Sequence, residues 1–518
     1  MHSLTTARVT KARAATGEMH RPVGNSSRFR DISPHTVVPL FACISICLSV
    51  LVPEWIFIGF ASPPTRSAWP LAAIFTGYAG IRLAWQVARG LPRLFEFSFW
   101  LFVYVFLGCA PLAEMRASSF RSTTPTVNHA LDVETYAIII TGTLAFEVGY
   151  LLARQRPTRR QSVVEAIPSG RRSIIMAALG LVFAAYYIHR LGVHALFIPR
   201  NTAGAVLQSA FHSTSSSAIV SGLSFAPLLV SVPLMVQARM RASDGITPPR
   251  SLIAIASLVL LIEVNPISAT RYTSGTVYGT LLVTAGAAAN RHRIRLLMCA
   301  MTALILLGFG LLASFHLSTS GGLNETPPLQ ALATSGDFDS FDNINNTIAY
   351  VDINGSTNGR QSLGVLGFFV PRSMWHSKPP DTGVLLATSQ GYQFSNISAP
   401  LWAELYINFL WPGVVVGFIA TGYCLRRLSD RALALWHIVG RVNVTGIVFP
   451  FYLLILLRGS LLQATGIFVM LLVSVRAARA QSARAQLPRW TSRRPTRSKA
   501  AAGREMDSGT LSDSRMLR

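Results

Sequence analysis

Three arginines stand where an arginine is costly. Arg271 follows Asn265-Pro266 in a very short turn between two apolar runs, and Arg458 sits between Leu457 and Gly459-Ser460 in another. Arg372 comes directly behind the apolar stretch Leu363–Val370. Ionisable groups beside membrane-length apolar segments are expensive and tend to have a task. A guanidinium keeps its charge, and its planar fork matches phosphate or carboxylate oxygens. Gathered in one place, the three would grip a diphosphate. Held apart, each reads as a side chain snorkelling to lipid headgroups.

Other residues nearby have suitable chemistry. Arg372 opens an Arg-x10-Gly spacing that ends at Gly383 and encloses Trp375, His376, Lys378 and Asp381. Lys378 reads as a second phosphate contact or a solvated lysine, and His376 as a base near neutral pH or an ordinary loop residue. Glu404 lies in Pro400-Leu401-Trp402-Ala403-Glu404-Leu405-Tyr406, at the start of an apolar run. There it would either accept a proton from a sugar hydroxyl or pair with an arginine. Glu263, inside another run, is a weaker case of the same kind. Trp402 and Tyr406 suit an interfacial belt or a sugar-stacking face, and Trp375 is a further ring of that type. Asp337-x-Asp339 has the spacing of metal-binding carboxylates in nucleotide-sugar transferases, but the expectation is a solvated loop without metal. The cysteines Cys43, Cys47, Cys109, Cys299 and Cys424 fall in or beside apolar runs and read as packing residues.

The elements that must position these residues follow from composition. The 518 residues are 51% hydrophobic and 13% charged, with a net charge of +24. Soluble domains carry roughly 25% charged residues, and disordered chains are polar. The mean hydropathy of +0.42 fits neither. A basic chain of this apolarity is expected in a membrane, and nucleic acid is not an expected partner.

Twelve apolar stretches qualify as spans: 37–60, 68–88, 95–113, 134–153, 173–189, 218–238, 251–265, 272–289, 297–316, 403–424, 442–457 and 461–475. With the N-terminus inside, the inside connections hold Arg89 and Arg93, then Arg154 to Arg172, Arg239 to Arg250, Arg291 to Arg295, and Arg426 to Arg431. Residues 1–35 have six Lys/Arg against two acids, and 476–518 have eleven against three. The outside segment 317–400 reverses the balance, with three Lys/Arg against six acids. This is the positive-inside asymmetry. The expected layout is all-α: a basic cytoplasmic tail (1–35), nine transmembrane helices (36–316), an external functional loop (317–400), three more helices (401–476) and a basic cytoplasmic tail (477–518). Within the loop, a helix is expected near 339–351 and an interfacial or re-entrant piece at 363–370. So long an external segment suits a lid over a binding site.

The runs Gly336-Asp337-Phe338-Asp339, Asn345-Asn346-Thr347-Ile348, Phe369-Val370-Pro371-Arg372-Ser373-Met374-Trp375, Lys378-Pro379 and Asn396-Ile397-Ser398-Ala399-Pro400-Leu401-Trp402-Ala403-Glu404 resemble bacterial oligosaccharide repeat-unit polymerases. These are the Wzy-type enzymes of O-antigen and capsule synthesis. Asn265-Pro266 with Arg271, and Leu457-Arg458-Gly459, are similar to the same family. The likeness is clearest over residues 260–465. It implies a GT-C-like inner-membrane glycosyltransferase with both termini cytoplasmic. Its substrate would be an undecaprenyl-diphosphate-linked oligosaccharide, with membrane lipids around it and a chain-length regulator and flippase as partners. No metal or cofactor is implied. The resemblance implies a role for loop arginines, matched here at Arg372; with the residue chemistry above, the expected site is Arg372, Glu404 and Arg271 for catalysis, Arg271, Arg372, Lys378 and Arg458 for the diphosphate, and Trp375, Trp402 and Tyr406 for glycan. A glycan ligase uses the same donor, and a polysaccharide or lipid transporter is the rival from another class.

Overall fold

The computed structural model describes residues 34–60, 66–155, 168–198, 206–207, 209–211, 214–240, 244–308 and 327–478. Nearly all of both basic tails, and the polar stretch 317–326, lie outside these residues. The described residues are helical with no strand. In chain order, the first group is α1 (Thr36–Gly59), α2 (Trp69–Arg89), α3 (Leu94–Ala117), α4 (His129–Arg154), α5 (Gly170–Leu191), α6 (Ser217–Ala238), α7 (Arg250–Glu263), α8 (Arg271–Leu282) and α9 (Arg291–Ala303). Four short helices follow: α10 (Pro328–Thr334), α11 (Ser340–Asn354), α12 (Arg360–Leu366) and α13 (Thr382–Ser389). Last come α14 (Leu401–Val439), α15 (Val444–Arg458) and α16 (Leu461–Ala478).

Seven of these, α1, α3, α4, α5, α6, α14 and α16, are long and apolar enough to cross a membrane. Eleven of the twelve expected spans fall on a helix; of the twelfth, 297–316, residues 297–308 are helical and 309–316 lie outside the described residues. The five span helices beyond those seven are shorter or less apolar. Helices α7 and α15 have 14 and 15 residues, against the roughly 20 that a hydrocarbon core requires, while α8 runs on through a π-turn at Val283–Ala287 and α9 through another at Leu304–Gly308, where the described residues end. Twelve crossings are therefore more than helix length alone supports.

Contacts sort the connections onto two ends. At one end Arg295 donates to the Ala88 carbonyl at 2.8 Å, Trp436 to Ala288 at 2.8 Å and Gln237 to Val442 at 3.1 Å. Arg93 there pairs with Glu96 and Asp430, both at 2.9 Å. At the other end Arg121 donates to Leu332 at 3.0 Å, Tyr272 to Asp337 at 2.9 Å and Arg458 to Gly336 at 3.0 Å. Residues 327–400 thus cap one end, and an arginine-rich set lies at the other.

Helix α3 is the spine. Every residue from Leu94 to Met115 is buried inside the bundle, and Phe99, Phe102 and Phe106 stack along it against Phe146 and Trp402. Its proline does not break it. Pro111 has no N–H for the Leu107 carbonyl; the backbone widens into a π-turn over Val105–Cys109, and the Tyr136 hydroxyl donates to Leu107 at 3.4 Å.

Helix α14 departs most from the expected span 403–424. Leu410 takes φ 55 and ψ −148, and the chain doubles back there. The Trp402 and Phe418 rings lie 4.2 Å apart, whereas one straight helix would separate these residues by about 24 Å. Gly413 and Gly417 permit the fold-back. A Cβ on Gly413 would lie 2.6 Å from the Leu405 carbonyl oxygen, and one on Gly417 would lie 2.6 Å from the Leu405 side chain. Pro412 and the turn free two carbonyls, which the cap satisfies. Gly359 N–H donates to Asn408 at 3.2 Å and Thr357 N–H to Ile407 at 2.8 Å. Residues 401–409 are therefore a short limb packed along the longer one, and only the latter is placed to span.

The cap is sunk into the bundle. Ser340 to Ile348 of α11 are all buried, with Phe341, Ile344 and Ile348 in the main core. Residues 397–400 are buried too. Irregular backbone at such depth is tolerated where protein surrounds it.

Candidate functional site

Two of the three arginines meet. A cavity of ≈ 1040 Å³ opens at the cap end, with Arg271 from the start of α8 and Arg458 from the end of α15 in its wall. The very short turns noted in the sequence bring them there, because each leaves its arginine at a helix terminus. Residues 336–339 run between them. Arg271 pairs with the Asp337 carboxylate, and Arg458 pairs with Asp339 at 2.9 Å. Arg458 also donates to the Gly336 and Asp337 carbonyls at 3.0 and 2.9 Å, and its guanidinium lies 4.9 Å from the centre of the Tyr272 ring. Asp337-x-Asp339 is thus not a solvated loop but a double clamp on the two guanidinium groups. The Asp339 side chain is 2% exposed and that of Asp337 24%. Asp337 is therefore the carboxylate open to a ligand.

Arg121 adds a third guanidinium to the wall. It is fully buried and engaged, pairing with Glu114 at 3.0 Å and Asp342 at 3.1 Å and donating to Leu332 and Ser335. Arg66 extends this network to Asp132 at 2.8 Å and Glu114 at 2.9 Å. A buried cation without a partner is strongly destabilising. Here each of the two cations has carboxylate partners, three carboxylates sharing them, and the network pins α10 and α11 to the ends of α3 and α4.

The third expected arginine is elsewhere. Arg372 is not among the residues lining the cavity. Its guanidinium donates to the Lys378 and Pro379 carbonyls at 2.8 and 3.2 Å. Lys378 in turn donates to Phe368 and Val370, both at 2.9 Å. Burial, and then the neighbouring Arg372 charge, lower the Lys378 pKa from its ordinary value. These two residues fasten a turn of the cap to itself.

The remaining expected residues divide similarly. Glu404 is 2% exposed and does not line the cavity. Its carboxylate accepts from Thr382 Oγ1 at 2.9 Å, Ser460 Oγ at 3.0 Å and the Leu461 amide at 3.0 Å. It ties the short limb of α14 to α13 and caps α16, while Ser460 separates it from the cavity space. Trp402 is fully buried and donates to the Ile139 carbonyl at 3.2 Å, so it stacks on protein rings and not on an open face. Tyr406 is 5% exposed and packs edge-on to Trp411. Trp375 folds onto Gly367 and donates to Ser377 Oγ at 3.1 Å. His376 is exposed. Glu263 accepts from Ser224 inside the bundle.

Sequence reasoning undervalued Asp337 and Asp339 and passed over Tyr272 and Arg121. The available signal was a pair of acids two apart among polar residues, in a chain with few acids. Among the described residues no group of His, Cys, Asp and Glu could hold a metal ion. No protein-family model, curated protein or solved structure matches the chain.

Proposed function

We propose that the chain is a membrane glycosyltransferase. It polymerises undecaprenyl-diphosphate-linked repeat units into a surface polysaccharide at the outer face of the bacterial plasma membrane. Its bundle is read as twelve crossings of GT-C-like design, with both termini cytoplasmic and chain-length regulator and flippase proteins as partners. The observation that carries this reading is the joint presence of Arg271 and Arg458 in one cavity at the cap end of an apolar bundle. The volume of ≈ 1040 Å³ is at the upper end for small-molecule sites and suits several sugar rings.

The proposed chemistry balances without a cofactor. An acceptor sugar hydroxyl attacks the donor's anomeric carbon. The bond from that carbon to the diphosphate oxygen breaks, and the diphosphate leaves with the electron pair. Fixed cations aimed at that developing charge are the main catalytic lever. Arg271 and Arg458 supply them, Arg271 by exchanging the Asp337 oxygen for phosphate oxygens and Arg458 while still paired to buried Asp339. Asp337, released from Arg271, takes the hydroxyl proton.

The test is Arg271→Ala in the native host, reading polysaccharide length on a gel beside the protein's own abundance. Loss of long chains with single repeat units accumulating, at unchanged protein level, is the expected result. An unaltered ladder rejects the reading. Long polymer left on its lipid carrier identifies a ligase instead.

A further inference from the structure

The turn built by Arg372 and Lys378 carries a surface that the proposed reaction does not use. From α12 onward it projects large apolar side chains: Leu363 is 57% exposed, Leu366 73%, Phe369 72% and Met374 78%. A solvated loop tip is ordinarily polar, and a contiguous exposed apolar face marks a contact site. Three cations flank it. Arg360 donates to the Ser377 carbonyl at 3.1 Å, Arg372 to Lys378 and Pro379, and Lys378 to Phe368 and Val370. Every one of these acceptors is a neutral backbone carbonyl of the same segment. Among the described residues no ion pair includes Arg360, Arg372 or Lys378. The segment therefore carries a net positive charge beside its apolar face.

Its position completes the argument. The segment is seated on the tip of the α14 hairpin, where Thr357 and Gly359 donate to Ile407 and Asn408 and the Ser362 amide donates to Asn408 Oδ1 at 3.1 Å. At that tip Phe409 is 47% exposed and Trp411 37%. Half-exposed aromatic rings at the end of a membrane-length helix mark the headgroup level.

We propose that residues 360–378 seat on the bilayer. Leu363, Leu366, Phe369 and Met374 enter the boundary between headgroups and acyl chains, and Arg360, Arg372 and Lys378 take the phosphates of anionic phospholipids. Apolar side chains below and basic side chains at phosphate depth form the pattern of an interfacial anchor. Snorkelling stems allow both at once. The element holds the cap against the membrane beside the cavity and stands independently of what reacts there.

The test uses the full chain with its five cysteines replaced by alanine and one new cysteine, Phe369→Cys, carrying an environment-sensitive NBD label. The protein is reconstituted into phosphatidylcholine vesicles with and without phosphatidylglycerol, each with or without a doxyl-labelled lipid. Thr388→Cys, on α13, is the reference. The expected result is blue-shifted emission at position 369 and doxyl quenching about twofold stronger when phosphatidylglycerol is present. The reference is expected to show neither. Water-like, unquenched emission at position 369 overturns the proposal. So does quenching indifferent to phosphatidylglycerol, since the cations would then have no lipid phosphate to meet.

Discussion

Trp402 packs against Phe418, their ring centroids 4.2 Å apart and their planes tilted by 39°, because the helix that holds both is folded double at Leu410. That relation sets the depth of everything attached to the short limb. Glu404 is carried to Ser460 and Leu461, and residues 397–400 are drawn down among the helices, where Ile397 and Ser398 line the cavity.

The fold-back depends on the absence of two side chains. Gly413→Ala would place a Cβ 2.5 Å from the Phe409 Cβ and 2.6 Å from the Leu405 carbonyl oxygen, and the backbone oxygen cannot yield alone. Overpacking of this kind costs about 1–3 kcal/mol. Gly466→Ala meets nothing within 4 Å and sits in a helix that alanine favours. Thermal unfolding in detergent micelles is therefore expected to show a clear drop in Tm for Gly413→Ala and none for Gly466→Ala. Equal behaviour of the two would remove the hairpin.

The Arg458–Asp339 pair offers a second check, since the Asp339 side chain is almost wholly buried. Arg458→Gln leaves that carboxylate uncompensated, at a cost of about 3–5 kcal/mol. Asp339→Asn/Arg458→Gln removes both charges and is expected to be less destabilised than the two single changes summed. A double-mutant cycle from denaturant titrations in micelles measures the coupling. Strict additivity would mean that the two groups do not sense one another.

Much of this architecture was legible from the amino acids, for physical reasons. Long apolar runs have few choices other than helix in lipid, so every expected span fell on a helix as far as the described residues reach. The arginines alternate between connections, and contacts such as Arg295 to Ala88 and Arg458 to Gly336 place the two sets at opposite ends. Arg271 and Arg458 were readable as neighbours-in-waiting because short turns fix them at helix ends on the same side. The hairpin was not legible. Pro412 alone reads as a kink within a long helix, and what stabilises the turn is remote: two amide donors, Thr357 and Gly359, and the missing Cβ atoms of Gly413 and Gly417. The separation of Arg372 from the cavity was hidden likewise. It follows from the path of the cap, and a loop's path is set by contacts such as Arg121 with Leu332 and Ser335, not by local pattern.

Asp381 gives the stability a pH signature. Burial raises its carboxyl pKa, against the opposing hydrogen bonds from Ser460 and the Gly383 and Val384 amides. A carboxyl held above its unfolded value favours the protonated folded form. Its stabilising contribution is complete below about pH 3.9, the ordinary aspartate value, and is lost as pH rises through the folded pKa. Asp381→Asn keeps an oxygen to accept from Gly383 N–H, which caps α13 at 3.0 Å, and removes the charge. Its Tm is expected to exceed the parent's at pH 8, with the gap closing as pH falls. Because Glu404 titrates nearby in both proteins, the quantity to follow is the difference between the two curves. A gap that widens toward acid would reverse the assignment.

Glu404 separates positioning from chemistry most sharply. Its two oxygens accept three hydrogen bonds, from Thr382, Ser460 and Leu461, and Ser460 stands between it and the cavity. As a clamp, it needs oxygen acceptors more than charge. Glu404→Gln retains one carbonyl oxygen for Ser460 and Leu461, and the Thr382 hydroxyl can rotate to accept from the new amide. If the proposed transfer occurs, this variant is expected to keep polymer length within a few-fold of the parent while losing some Tm. Asp337→Asn, which removes the exposed carboxylate beside Arg271, is expected to lower the rate by about 10²–10⁴, the range for a lost general base. The opposite ranking, with Glu404→Gln inactive at full stability and Asp337→Asn unaffected, would move the proton acceptor to Glu404 and require the cavity to open past Ser460 during turnover.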